Sequence, residues 1–256
     1  MLQILDNELL MASLPSHFLK NMKALIFIKI YLISFCVLFG QPPQDFSVKY
    51  KIIINENSID SKDKSKLTQA ESLAQDFVKD QIKKLKFLND KNIEIYNLSY
   101  KYPEYSFNYV ESLSVGNKDN LVLLSKDQFY GNKDMDVLYG LYSVGSEEML
   151  VKYQDLSWQL KNEFEVIAGF RCQKAIATIR SQKFTIEAWF TSDLPQTSIF
   201  EFKGLPGTIL KLKRGNITYE AFKVELKSKN IENILNKNLK IISFDEYEEI
   251  SKSMRR

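Results

Sequence analysis

The chain has 256 residues, of which 45% are hydrophobic and 26% charged, and its formal net charge is +3. This length and composition are typical of a globular protein with one domain of moderate size and a sizeable core. The nearly balanced charge argues against nucleic acid as a partner, because nucleic-acid-binding domains usually carry a strong basic excess.

Histidine and cysteine are scarce. The single histidine is His17, and the two cysteines are Cys36 and Cys172. Because His17 lies before a predicted export signal and Cys36 lies within it, the mature chain keeps no histidine and one thiol. This excludes a Ser-His-Asp or Cys-His catalytic arrangement and removes the commonest metal ligand. We therefore expect no cofactor, no metal site, and a buried, unreactive Cys172.

The N-terminal region has the form of a secretory signal. Residues 1–21 show no clear pattern and are interpreted as a spurious extension of the coding sequence. Residues 22–40 begin with Met-Lys, continue as an apolar run and end on a glycine, which predicts a cleaved signal peptide. The alternative is an uncleaved membrane anchor, although the run of about 16 residues is short for a span of roughly 20. We expect residues 41–256 to form a single exported domain, located in the periplasm, at the outer membrane or outside the cell.

The first elements of the mature chain are a strand and a long helix. Strict alternation from Phe46 to Ile54 predicts a half-buried strand. Apolar residues at helical spacing predict a helix over about 64–90. Its lysines give it a basic face, which can contact a membrane surface. We favour the simpler interpretation, in which the helix packs on the sheet and its lysines are solvated.

The remaining chain reads as strands separated by turns. Residues 93–153 contain several short alternating segments that are rich in tyrosine, which we interpret mainly as cross-strand packing. Further predicted strands and hairpins follow at 156–160, 170–180, 183–190, 209–213 and 217–226, with a short helix at 244–254. The predicted fold is mainly β (α+β): a curved antiparallel sheet or half-barrel with one long packed helix, similar to lipoprotein-carrier folds. The concave apolar face of such a sheet commonly holds a ligand.

One sharp turn stands out in the second half of the chain. In Leu205-Pro206-Gly207-Thr208, Pro206 fits the second position of a type II turn and Gly207 fits the third, which requires a positive φ. The aromatic residues Trp189 and Phe190 precede this turn, and Trp158 lies further upstream. These three residues are the candidate binding residues. For Gly204, Leu205, Pro206 and Gly207 we favour a structural turn that aims two strands, and the alternative is that this turn shapes the rim of a binding cavity.

A family resemblance rests on three segments, 167–175, 188–191 and 204–209, the last reading Gly-Leu-Pro-Gly-Thr-Ile. In this order and spacing they resemble the GLPGLI family of exported proteins from Bacteroidota-type bacteria. Thr208 departs from that pattern, which usually has Leu there. The resemblance implies an exported β-rich protein and no established activity.

The sequence leaves two classes of function open. The favoured one is a binding or carrier protein of the cell envelope, with a lipid, a glycan or an envelope protein as partner, and no catalytic residues. Membrane contact would come only from an uncleaved signal or weakly from the basic helix. The alternative is a histidine-free hydrolase acting on glycans through paired carboxylates, or a structural envelope protein. The candidate carboxylates are Glu163, Glu165, Glu187, Asp193 and Glu201.

Overall fold

The computed structural model describes residues 42–55, 69–110, 128–179, 185–227, 231 and 238–253, and gives the backbone alone for residues 69–71. The predicted extension 1–21 and the predicted signal 22–40 lie outside these ranges. Within them, neither helix has the length and apolar content that crossing a bilayer requires.

The described part of the unit Pro43–Arg256 contains two helices and one sheet of twelve strands. The helices are α1, Gln69–Asp90, and α2, Phe244–Ser253. The strands are β1 Asp45–Ile54, β2 Tyr96–Lys101, β3 Glu104–Tyr109, β4 Gln128–Asn132, β5 Val137–Val144, β6 Glu147–Tyr153, β7 Gln159–Ile167, β8 Phe170–Thr178, β9 Thr185–Thr191, β10 Thr208–Arg214, β11 Ile217–Glu225 and β12 Lys240–Ser243.

Two antiparallel meanders, β2 to β6 and β7 to β11, are joined through β1. The order in the sheet is β12-β6-β5-β4-β3-β2-β1-β11-β10-β9-β8-β7, so the first strand pairs with β2 on one side and with β11 on the other. Among the described strands, only β12 runs parallel to its neighbour, β6. The predicted mainly-β fold with an antiparallel sheet is confirmed.

The sheet is strongly curved. β7 and β11 stand four positions apart in its order, which would separate them by about 19 Å if the sheet were flat. Their closest Cα atoms instead lie within 8 Å of each other. The curvature therefore brings side chains from non-adjacent strands together, which matters for the site described below.

The long helix α1 packs on the sheet through its C-terminal half. Leu85 is 2% exposed, and Asn89 Nδ2 donates a hydrogen bond of 2.6 Å to a backbone carbonyl of β1. Leu73, in the N-terminal half, is 65% exposed. The predicted packing of the helix on the sheet is confirmed for the C-terminal half, and the predicted first turns before Gln69 lie outside the described residues.

The turns between neighbouring strands follow the local sequence. Ala168 and Gly169 have φ values of 49° and 87°, and they close the β7–β8 hairpin. Gly215, with φ of 58°, lies in the connection between β10 and β11. The strand predicted at 156–160 was placed too early, because β7 begins at Gln159. The predicted final helix is confirmed over Phe244–Ser253.

Candidate functional site

The Gly204–Gly207 segment packs against neighbouring backbone and anchors its loop. The positive φ lies at a different glycine from the one expected. Gly204 has the positive φ, 108°, whereas Gly207 does not have one. A Cβ on Gly207 would overlap the backbone carbonyl oxygen of Thr191. The assignment of the positive φ to Gly207 was therefore wrong, and this glycine is needed because two backbone segments approach closely there.

Lys203, just before this segment, is buried and doubly paired. Its side chain is 7% exposed, and its Nζ lies 2.8 Å from Asp136 Oδ1 and 2.7 Å from Asp155 Oδ1. Burial lowers the pKa of the Lys203 ammonium, but the two hydrogen-bonded carboxylates outweigh burial and leave this pKa above its ordinary value. Lys203 thus ties the loop to the β4–β5 turn and to the segment before β7, a role that the sequence analysis missed.

Two of the candidate binding residues, Trp158 and Phe190, have structural contacts near Lys203 or in the core. Trp158 is half-buried, and its Nε1 donates a 2.9 Å hydrogen bond to the carbonyl of Lys203, which also accepts from the Leu156 amide at 3.0 Å. Phe190 is 4% exposed and belongs to the core. Phe190 is therefore not available as a binding surface, while Trp158 holds the carbonyl of Lys203 in place.

Trp189 is half-buried and packs against the core cluster, and it lies in a row of register partners that crosses five strands. Its neighbours Ala188 and Phe190 are buried, so the alternation of the strand points Trp189 to the opposite face. Lys174 of β8 lies directly opposite it on one side and Lys211 of β10 on the other. The row continues to Glu220 of β11 and Lys51 of β1. We call these five residues the Trp189 row.

The indole of Trp189 is flanked by two cations. Lys174 Nζ lies 5.3 Å from the ring centroid and Lys211 Nζ lies 4.8 Å from it. Both distances are within the range of a cation–π interaction. Because the two lysines stand on strands at either side of β9, they hold the ring between them.

Each of these two lysines pairs with two carboxylates, and each is therefore part of a chain of ion pairs. Lys174 Nζ lies 3.2 Å from Glu163 and 3.0 Å from Glu187, which is 3.7 Å from Lys213. Lys211 Nζ lies 2.9 Å from Glu165 and 3.4 Å from Glu220, which is 3.1 Å from Lys51. The two alternating chains meet at Trp189, and we call them, with Trp189, the charged lattice.

The ionised state of the lattice is stabilised by its own contacts. Hydrogen bonds to Glu187 and Glu163 raise the pKa of the Lys174 ammonium. Partial burial raises the pKa of the Glu187 carboxyl, but the hydrogen bond from Lys174 and the charge of Lys213 outweigh burial and leave it below its ordinary value. Lys174 and Glu187 are therefore both held in their charged forms.

The structure brings three of the five candidate carboxylates together. Glu163 and Glu187 flank Lys174, so the two oxygens nearest its Nζ can be at most about 6.2 Å apart. Glu165 stands beside Lys211 in the same lattice. Glu201 pairs outside the lattice, with Arg214 at 3.4 Å. Asp193 belongs to neither ion-pair chain, although it lies within electrostatic reach of Cys172, as Glu165 does.

A lysine stands between the carboxylates of this closest pair. A glycoside hydrolase of the two-carboxylate type needs one carboxyl with a raised pKa to act as the acid. The pKa of Glu187 is instead lowered. The upper bound on the spacing permits the separation of about 5–5.5 Å found in retaining enzymes, but the electrostatics oppose this chemistry.

Cys172 fits the expectation of a buried thiol. It is 0% exposed, and its Sγ lies 3.5 Å from the carbonyl oxygen of Phe170. Burial raises the pKa of this thiol to about 12. The thiolate needed for nucleophilic chemistry is therefore disfavoured.

The apolar face of the sheet, expected to hold a ligand, is filled by the chain itself. Phe200, in the loop between β9 and β10, is 6% exposed and has φ of 51°. Its ring lies 4.7 to 6.4 Å from five other aromatic rings on four strands and its own loop: Tyr96, Phe107, Phe129, Phe202 and Tyr219. Most of the predicted tyrosine packing is accordingly internal, with Tyr96 and Tyr105 buried.

Metal ligands are not clustered in the described ranges. No three carboxylate, thiol or imidazole groups there are placed to hold one ion together.

Comparison with known proteins gives a family match over most of the domain. A family model described as "N-glycanase peptide, N-terminal domain" (PNGase F-II N-terminal domain) matches residues 82–248. No curated protein matches the chain.

Two solved structures are similar at low identity. A structure of PNGF-II in space group P21 is 15% identical, with a TM-score of 0.49, over 81% of this chain and 33% of that one. Its form in space group C2 is 16% identical, with a TM-score of 0.44, over 81% and 32%. The chain thus spans about a third of the length of these structures.

The family match overturns the resemblance to GLPGLI proteins. The segments behind that resemblance are a hairpin turn at Ala168–Gly169, part of β9 and the loop anchor at Gly204–Gly207. Such turns and close approaches recur wherever strands must reverse or meet, so they specify local geometry more than ancestry. From the match over residues 82–248, the chain belongs to the N-glycanase peptide N-terminal domain family.

Proposed function

We propose that this domain binds glycans, and that it does so on the charged lattice around Trp189, without catalysing their cleavage. The family name places its members beside enzymes that act on glycans. The observation that carries the proposal is the Trp189 row, in which a half-buried indole is held between Lys174 and Lys211 on the face of β9 opposite Ala188 and Phe190.

The chemistry of the lattice suits a saccharide. A hydroxyl group both donates and accepts hydrogen bonds, while carboxylates only accept and ammonium groups only donate. The lattice alternates these two kinds of group along two chains that pass the indole. A polyhydroxylated ring can therefore meet both acceptors and donors beside Trp189, whose half-buried indole adds an apolar contact.

The other candidate functions have less support. A carrier for a lipid needs an open apolar surface, but Phe200 occupies the aromatic face of the sheet. A carboxylate hydrolase needs a protonated acid, whereas Lys174 holds Glu187 in its ionised form. Glycan binding requires neither feature.

We also propose that the protein is exported, because residues 22–40 have the form of a signal peptide. Export is consistent with the proposed binding, since an exported domain meets the glycans outside the cytoplasm. The test is the N-terminus of the protein purified from its natural host. A start at or near residue 41 would support export, and an intact residue 22 inside the cytoplasm would contradict it.

The binding proposal is tested by calorimetric titration of the chain with soluble oligosaccharides released from glycoproteins. We expect wild type to bind and Trp189→Ala to lose at least about tenfold in affinity, comparable to about 1.4 kcal/mol. Phe77→Ala is the matched control, since Phe77 is also aromatic but is 45% exposed on α1. Equal affinity of wild type and Trp189→Ala, or no binding by wild type, would contradict the proposal.

A further inference from the structure

The charged lattice has balanced charge but an uneven distribution of exposure. Its eight charged groups are four ammonium groups and four carboxylates: Lys51, Lys174, Lys211, Lys213, Glu163, Glu165, Glu187 and Glu220. Every ammonium lies within 3.7 Å of a carboxylate, and the most exposed lysine of the lattice, Lys213, is 48% exposed at the side away from β7.

The side of the lattice formed by β7 is acidic at its surface. The Glu163 and Glu165 side chains are 61% and 42% exposed. The ammonium groups that they pair with are recessed, since Lys174 and Lys211 are 16% and 19% exposed. A ligand that approaches Trp189 across β7 therefore meets carboxylates first.

From this arrangement we infer that the glycans bound here are uncharged, and that sulfated or carboxylated glycans are excluded. The inference rests on the proposed glycan binding and specifies its ligand class. Hydroxyl groups donate hydrogen bonds to the exposed carboxylates, while an anionic group is repelled by them and finds the lysines already paired.

A second consequence concerns salt. An anionic ligand held by lysines would bind more weakly as ionic strength rises, because mobile ions screen the attraction. A neutral ligand that is held by hydrogen bonds and by contact with the indole loses little affinity as ionic strength rises. Its affinity should change by less than about twofold between 50 and 300 mM salt, roughly the range over which exposed charges become screened.

The experiment compares two ligands that differ only in charge. The wild-type chain is titrated with the uncharged trimannosyl-chitobiose core and with the same oligosaccharide carrying sulfate groups, at low and high salt. We expect the neutral form to bind at least about tenfold more tightly, because the sulfate groups meet carboxylates of the same charge. Substituting Glu163→Gln and Glu165→Gln together should narrow this preference, whereas Glu147→Gln, on an exposed position of β6, should leave it unchanged.

The possible outcomes separate the two proposals. Binding of the sulfated form as tightly as the neutral form, or more tightly, would overturn the inference and leave glycan binding standing. If the double substitution leaves the ratio of the two affinities unchanged, the β7 carboxylates are not what excludes the sulfated form, and the inference is overturned. Failure to bind either form would contradict glycan binding itself.

Discussion

Lys203 Nζ lies 2.7 Å from Asp155 Oδ1, although the lysine side chain is 7% exposed and the aspartate side chain is 53% exposed. Asp136, the second partner of Lys203, is 70% exposed. The pair is therefore asymmetric: removing the lysine leaves two solvated carboxylates, while removing the carboxylates leaves a buried ammonium without its counter-charges.

This asymmetry predicts an order of stability. Asp136→Asn combined with Asp155→Asn should lower the free energy of unfolding by about 2–3 kcal/mol, because Lys203 stays buried and charged. Lys203→Met, which keeps most of the apolar stem, should cost less than about 1 kcal/mol. Urea denaturation measures both, and a larger loss for Lys203→Met would show that the ion pairs are not what holds the loop.

Gly207 provides a test of close backbone approach. In Gly207→Ala the new methyl group would overlap the Thr191 carbonyl, so we expect a loss of about 3 kcal/mol or more. Gly215→Ala is the control, because Gly215 has a positive φ but open space around its Cβ position. That control should cost about 1–2 kcal/mol. Equal melting temperatures for the two variants would show that the chain relaxes easily around residue 207.

Phe200 is expected to be a major contributor to core stability. Phe200→Ala removes a buried ring that contacts rings on β2, β3, β4 and β11, and should cost about 3–5 kcal/mol. Phe77→Ala, at a 45% exposed position, should change stability by less than about 0.5 kcal/mol. Chemical denaturation measures the free energy of unfolding of both variants. A small loss for Phe200→Ala would mean that another residue fills the space of the ring.

Stability should fall in alkaline solution. Burial raises the pKa of Tyr100 and of Tyr219 to about 12 in the folded protein. In the unfolded chain these tyrosines lose their protons near pH 10. Because the folded pKa is the higher one, their contribution to stability is complete below pH 10 and is lost as pH rises from about 10 to 12. Urea midpoints measured from pH 8 to 11.5 should decline above pH 10, with a shallower decline in Tyr219→Phe; a flat profile would contradict the burial of these hydroxyl groups.

Local sequence was sufficient to predict much of the second meander. The Arg214-Gly215-Asn216 connection and the Ala168-Gly169 turn place their hairpins because few residues tolerate a positive φ. The alternation in β1 likewise identifies a strand with one buried face. These features depend on residues close together in the chain.

The site depends on contacts that local patterns do not contain. Lys174, Trp189 and Lys211 become neighbours only through the register of three strands, which no single strand specifies. The pairing of β1 with β11 joins residues about 170 positions apart. Lys203 was overlooked for the same reason, since its partners come from two separate segments and a lysine in sequence reads as a surface residue.

The most direct test of glycan binding at Trp189 uses its own fluorescence. The chain contains two tryptophans, so Trp158→Phe leaves Trp189 as the only indole. The substitution removes the hydrogen bond to Lys203, whose carbonyl keeps the Leu156 amide as a donor. Titration of this variant with the uncharged trimannosyl-chitobiose core should produce a saturable change in Trp189 emission, with the same dissociation constant as calorimetry. Calorimetric binding without any change in Trp189 emission would place the glycan elsewhere, and the absence of both signals would contradict the proposed function.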